Sequence, residues 1–233
     1  ISITDIDLNY FAYGDGSEEN PYRISNAQHL LNIDYFDSAN YVLISSINMA
    51  NINIEERLNS LGALVSDNFS GVLDGANFSI FGFDVDDREK TDTIAVENAE
   101  TFALFGSLNN ATIKNLTIGT ENIQLILLNT FAKSIENVVN LSLIATGANN
   151  SIIDNINVIN FKMQIQSTSA QLTNSIYVGG LIGKSNNGTI KNSQVNFAVE
   201  FDVDFTNDVY VGGIIAEASN TNLQEMEVSF GLT

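Results

Sequence analysis

The stretch Tyr177–Val195, YVGGLIGKSNNGTIKNSQV, holds no cysteine, histidine or carboxylate, and its glycines lack the spacing of a phosphate-binding loop. It holds a skeleton instead: two apolar residues, a small residue, a polar turn ending in asparagine, an apolar anchor, then alternation. The skeleton aligns without gaps in four segments. They are Leu104–Ile118 (LFGSLNNATIKNLTI), Ile144–Val158 (IATGANNSIIDNINV), Leu181–Val195 (LIGKSNNGTIKNSQV) and Ile214–Val228 (IIAEASNTNLQEMEV). Their anchors, Ile113, Ile153, Ile190 and Leu223, lie 40, 37 and 33 residues apart. A weaker copy, Gly71–Val85 (GVLDGANFSIFGFDV), takes Ile80 as its anchor.

Each unit is a set of short β-branched strands separated by Asn-Asn, Asn-Gly or Asp-Gly pairs, residues that tolerate positive φ. One unit cannot bury its own apolar face, whereas stacked units share a continuous core. Strand-and-turn repeats of this length predict an all-β chain built as a β-solenoid. A sandwich is disfavoured because equivalent positions keep the same residue type from copy to copy. Gly179, Gly180 and Gly183 then read as close packing at a tight corner rather than as a ligand cradle.

Composition narrows the function classes. The chain has 233 residues, 44% of them hydrophobic, which is enough for a sizeable core. Twenty-eight acids against nine bases give a net charge of −19. Nucleic acid and anionic membrane both require a basic surface, so neither is an expected partner. There is no cysteine for disulfides or thiol chemistry. No apolar run approaches the ~18 residues of a membrane span. The first residue is Ile1, which suggests either a removed leader or a piece of a longer chain.

Residues 1–50 differ from the repeats and read as a lead-in. Ser25–Ile33 (SNAQHLLNI) predicts a short amino-terminal capping helix, with Ser25 as N-cap and Gln28 completing a capping box. Residues 51–233 are expected to be the solenoid coils of one continuous domain. The last copy ends at Val228 and the remaining SFGLT is too short to cover it, so further coils or another domain are expected to follow.

Two stretches look like excursions from the coils, hairpin-like or wide, near 159–177 and 196–210. Both start Asn-Phe, at Asn160-Phe161 and Asn196-Phe197. In the second, Phe197, Val199, Phe201, Val203 and Phe205 alternate with Ala198, Glu200, Asp202 and Asp204, so the acids share one face. Like charges that close repel and would favour a cationic partner or a divalent ion. The candidate binding flank therefore comprises Glu200, Asp202, Asp204, Phe201, Tyr177 and Tyr210.

Other chemistry is thin. His29 is the only histidine and reads as a half-exposed helix residue, so no triad or ordinary zinc site can be assembled. Residues 86–101 read as a charge-rich exposed loop. Asp84, just before it, and Asp86 and Asp87 at its start offer oxygen ligands for Ca²⁺, without the spacing of an EF-hand, and no other cofactor is expected. Seven Asn-X-Ser/Thr sequons arise by chance in an asparagine-rich chain.

Three quoted segments carry a family resemblance. GDGSEENPYRISNAQHLLNI with YVLISSINM resembles the opening of many large bacterial surface proteins. FSGVLDGANFSIFGFDV is similar to a segment that follows it in those proteins. YVGGLIGKSNNGTIKNSQV resembles the GLUG motif, whose core matches Gly180, Leu181, Ile182 and Gly183. The copy at Tyr210–Ser219 keeps Gly212 and Gly213 but has Ala216 where the last glycine belongs. Such segments accompany adhesins and the noncatalytic amino-terminal part of bacterial IgA proteases. The resemblance implies a right-handed parallel β-helix, secreted or displayed on the cell surface, not an enzyme. It would act in adhesion, recognition or spacing, as a monomeric segment of a larger chain, with host or neighbouring-cell protein or glycan as partner. Two alternatives stand beside it. One is a carbohydrate-active β-helix enzyme, a lyase or hydrolase working through carboxylates. The other is a noncatalytic segment of a larger exported hydrolase.

Overall fold

The computed structural model describes residues 10–83, 91–168, 173–203 and 207–233. Their strands form three parallel sheets of 13, 4 and 5 strands, and the chain winds from one sheet to the next to make a β-solenoid. The anchors expected from the repeats pair in register. Ile113 faces Ile153, Ile153 faces Ile190, and Ile190 faces Leu223. A second column runs Ile47, Ile80, Ile118, Val158, Val195, Val228. Stacking like on like lets each side chain bury itself against its counterpart one coil away. A fully buried Ile, Leu or Phe contributes roughly 1.5–3 kcal/mol on this basis.

One alignment is corrected. The partner of Ile113 in the weaker copy is Leu73, and Ile80 pairs with Ile118. The turn between the two strands holds Gly75–Phe78 in that copy, against Asn115 and Leu116 in the next, so two extra residues displace the match.

The expected excursions are wide coils rather than hairpins. Ile152–Ser167 and Gln194–Asp202 lie parallel to each other, with Phe161 opposite Phe197. The returning strands, Ile176–Gly179 and Val209–Gly212, belong to the four-stranded sheet. Strands Gln124–Phe131 and Thr91–Glu97 widen the earlier coils in the same way. Thr91–Glu97 corrects the exposed-loop reading of 86–101. Ile94 and Val96 alternate into the core there, a pattern masked by the preceding run of charges. A bulge at Asn160, with φ of 54°, absorbs the extra residue between Val158 and Phe161.

The stack begins inside the lead-in. Tyr22–Ile24 pairs with Asn40–Leu43, which pairs with Val72–Asp74. Helix α1, Ala27–Leu31, forms a wall of this first coil and turns Leu30 and Leu31 inward. Its N-cap is Asn26, not Ser25: Asn26 Oδ1 accepts from the His29 N–H at 2.9 Å. Ser25 is still tied to the next coil, where its carbonyl accepts from Ser45 Oγ at 2.9 Å, so the chain turns one residue later. Beyond the first rung, Phe11 stacks on Tyr22 with ring centroids 4.4 Å apart, and Phe36 and Tyr41 pack around it. These rings cover this end of the core, beside the α1 wall.

A second helix, α2 (Ile54–Leu61), is an insertion in the coil wall that the repeat analysis does not anticipate. Asn53 Oδ1 accepts from Glu56 N–H, Glu55 and Glu56 occupy the positive first turn, and Gly62 ends the helix at φ 73°. Ile54 and Leu58, four residues apart, anchor it to the core.

At the opposite end the last coil has one neighbour only. Leu223, Val228, Phe230 and Leu232 are inward-facing by register, yet 41–56% exposed.

Candidate functional site

The corners explain the asparagines. Asn110, Asn150, Asn187 and Asn220 hold φ between 49° and 54° at one corner, and Asn115, Asn155 and Asn192 hold 52° to 55° at another. Asparagine adopts this left-handed conformation more readily than most side chains. At the second corner its amide also bonds to the preceding coil. Asn155 Nδ2 donates to Asn115 Oδ1 at 2.9 Å, and Asn115 Nδ2 donates to Asp74 Oδ1 at 3.0 Å.

The motif glycines are steric rather than conformational. A Cβ on Gly180 would sit 2.1 Å from the carbonyl oxygen of Gly213, and one on Gly179 would meet the carbonyl oxygen of Ile182 at 1.9 Å. On Gly183 it would strike Asn140 Oδ1 at 1.8 Å. That oxygen is buried without a hydrogen-bond partner, while Asn140 Nδ2 donates to the Thr146 carbonyl at 3.0 Å. The Gly183 Cα therefore closes against the amide of a neighbouring sheet, and the corner leaves no room for a ligand.

Four lysines, Lys114, Lys162, Lys184 and Lys191, each pair with an acid on the adjacent coil. In one column Arg23, Val42, Asp74, Lys114, Asp154, Lys191 and Gln224 follow one another. Lys114 reaches Asp74 at 3.3 Å and Lys191 reaches Asp154 at 3.3 Å. Acids alternate with lysines here instead of clustering. Burial pushes the Asp74 carboxyl up, but bonds from Asn115, the Ala76 N–H and Lys114 together hold it below its ordinary value.

The proposed flank divides in two. Tyr177 and Tyr210 pair in the four-stranded sheet, their rings stacked 4.6 Å apart and nearly parallel at 3°. The Lys184 ammonium lies 3.5 Å from the Tyr177 ring centroid and 3.5 Å from Glu217. Asp208, Tyr177 and Glu217 surround the Tyr210 hydroxyl and raise its pKa. Glu200 and Asp202 stand on the 13-stranded sheet instead. Glu200 is not a lone acid: Lys162 meets it at 2.6 Å and Gln164 donates to it at 3.0 Å, and these contacts lower its pKa. Asp202 is exposed and pairs in register with Gln166. Phe201 is partly buried and packs against the core, opposite Ile165. Asp204, and the Ca²⁺ candidates Asp84, Asp86 and Asp87, lie outside the described residues. His29 is half-buried, and desolvation lowers its pKa.

A feature not found from the sequence lies between the two helices. A groove of about 330 Å³ is bounded on one side by Gln28, Asn32 and Tyr35 and on the other by Asn53, Glu56 and Arg57. Tyr35 is 66% exposed, its ring held edge-on against Tyr10 at 5.2 Å. Asn32 is buried and fixed by Gln28 Nε2 (2.9 Å) and by the Tyr10 carbonyl (2.8 Å). Arg57 Nε and Nη2 donate to the Leu64 and Val65 carbonyls, both at 3.0 Å, which locks the guanidinium in place. The sequence signal, Asn53 and Glu56 as a capping pair with Gly62 beyond, was present but sits outside the repeat.

No helix among the described residues is long and apolar enough to cross a membrane. Comparison with family models, with curated proteins and with solved structures finds no match to this chain.

Proposed function

We propose that this chain is a noncatalytic, secreted or surface-displayed β-solenoid segment, serving as a stiff spacer and recognition module within a larger bacterial surface protein of the GLUG-motif kind. The observation that carries the reading is how the outer side chains are used. Lys114–Asp74, Lys191–Asp154, Lys162–Glu200 and Lys184–Glu217 each join one coil to its neighbour. Asn115 and Asn155 do the same at a corner. Groups that an active site would leave free to meet a substrate are here engaged in holding the rod together. Host or neighbouring-cell glycan or protein is the expected partner. The experiment is an array of host-surface glycans and proteins probed with the purified chain, run beside a reducing-end assay on a polysaccharide panel. Binding without product release supports the reading. Release of new reducing ends or unsaturated products overturns it in favour of a carbohydrate-active enzyme.

A further inference from the structure

The groove between α1 and α2 has a chemistry that the regular coils lack. From its lining, we infer that it binds a neutral oligosaccharide. This rests on the recognition reading above and names the site and ligand class.

The volume, about 330 Å³, falls at the small end of the ~300–1,000 Å³ typical of ligand pockets. A sugar presents hydroxyls that both donate and accept, on a ring with an apolar C–H face. The groove supplies each complement. Tyr35 offers an exposed aromatic ring, positioned by its edge contact with Tyr10. Ile52 adds an apolar patch. Gln28 commits its amide nitrogen to Asn32, which leaves its carbonyl oxygen directed to other donors. Glu56 Oε2 accepts from Asn53 Nδ2 at 3.2 Å, leaving its second oxygen for a hydroxyl. Arg57, held by two backbone carbonyls, supplies a fixed donor. These groups are held by other bonds before a ligand arrives, which lowers the entropy cost of binding.

Charge selects among ligands. Glu55, Glu56 and the nearby Asp34 outweigh Arg57, and the whole chain carries −19, so a sulfated, phosphorylated or sialylated ligand is repelled. Burial raises the Asp34 pKa despite the opposing effect of Arg57. A neutral ligand rich in hydroxyls avoids this penalty.

The test uses the whole chain and a set of neutral di- to tetrasaccharides built from glucose, galactose, mannose and N-acetylhexosamines. Binding is read by saturation-transfer NMR and calorimetry on wild type, Tyr35→Ala, Glu56→Gln and Tyr210→Ala, with circular dichroism checking that each is folded. The expected result is binding of at least one saccharide, weakened tenfold or more by Tyr35→Ala and by Glu56→Gln, and unchanged by Tyr210→Ala. Binding that survives both groove substitutions but is lost in Tyr210→Ala overturns the groove while leaving the recognition reading intact. No binding of any neutral saccharide overturns the groove as well. Cleavage of a bound saccharide would uphold the groove and sink the noncatalytic reading.

Discussion

Asn155 donates its side-chain amide to Asn115 one coil away at 2.9 Å, and both residues hold φ near +55°. Two costs can therefore be separated at one position. Alanine at 155 loses the amide bond, worth about 0.5–1.5 kcal/mol. It also incurs about 1–2 kcal/mol for the left-handed backbone. Glycine loses only the bond. Asn155→Ala should destabilise the chain more than Asn155→Gly, by about 1 kcal/mol, in urea unfolding. Equal losses would show that backbone strain at this corner is negligible.

The glycines of the motif offer a second contrast. Gly180→Ala and Gly183→Ala drive a methyl group into the Gly213 carbonyl and the Asn140 amide, and overpacking of this kind costs about 1–3 kcal/mol or more. In Gly147→Ala the nearest atom is 3.9 Å away, so stability should stay within about 0.5 kcal/mol of wild type. Denaturant midpoints for the three variants decide it. A Gly147 variant as damaged as the other two would refute the steric account.

His29 gives a pH dependence with a definite sign. Burial lowers its folded pKa, and its ring nitrogen accepts from the Ser25 N–H at 3.3 Å, so the folded state favours neutral imidazole. The unfolded chain binds the proton more readily, from about pH 6.5 downward. The stabilisation is complete above that pH and is lost as pH falls through the folded value. Thermal melts from pH 7.5 to 5 should show a decline that His29→Gln flattens. An identical slope in the variant would remove His29 from the account.

Asp74 acts at lower pH. Its folded pKa is depressed because bonds from Asn115, Ala76 and Lys114 outweigh burial. Its contribution is present above the ordinary carboxylate range, and it disappears as pH falls through the depressed value. Asp74→Asn should melt below wild type at neutral pH, and the gap should close under acid. A gap that stays constant from pH 7 to 2 would assign the effect to packing rather than to charge.

Much of the stack was legible because the repeat keeps its turns the same length. Ile113, Ile153, Ile190 and Leu223 fall in register for that reason. The Asn-Phe pairs marked the two wide coils, in which Phe161 stacks on Phe197 with centroids 5.5 Å apart. The failures have local causes. Two added residues in the turn before Ser79 shifted one copy. Charges around Asp92 hid a strand whose buried carboxylate accepts from the Gly82 N–H at 2.8 Å. Tyr177 and Tyr210 were visible as repeat equivalents. Tyr35 and Arg57 were not, since their groove joins two segments with no counterpart in other coils. Nor could alternation alone reveal that Lys162, one coil back, would meet Glu200.

The parallel ladders set how the coils would yield to a pulling force. Each rung is tied to the next through in-register pairs, as in the column Phe161, Phe197, Phe230. Traction along the stack runs parallel to those bonds, so the rungs separate in succession like a zip. Ile190 and Leu223 are paired at 33 residues' separation and Ile113 and Ile153 at 40. Each coil lost should therefore release about 110–140 Å of extended chain.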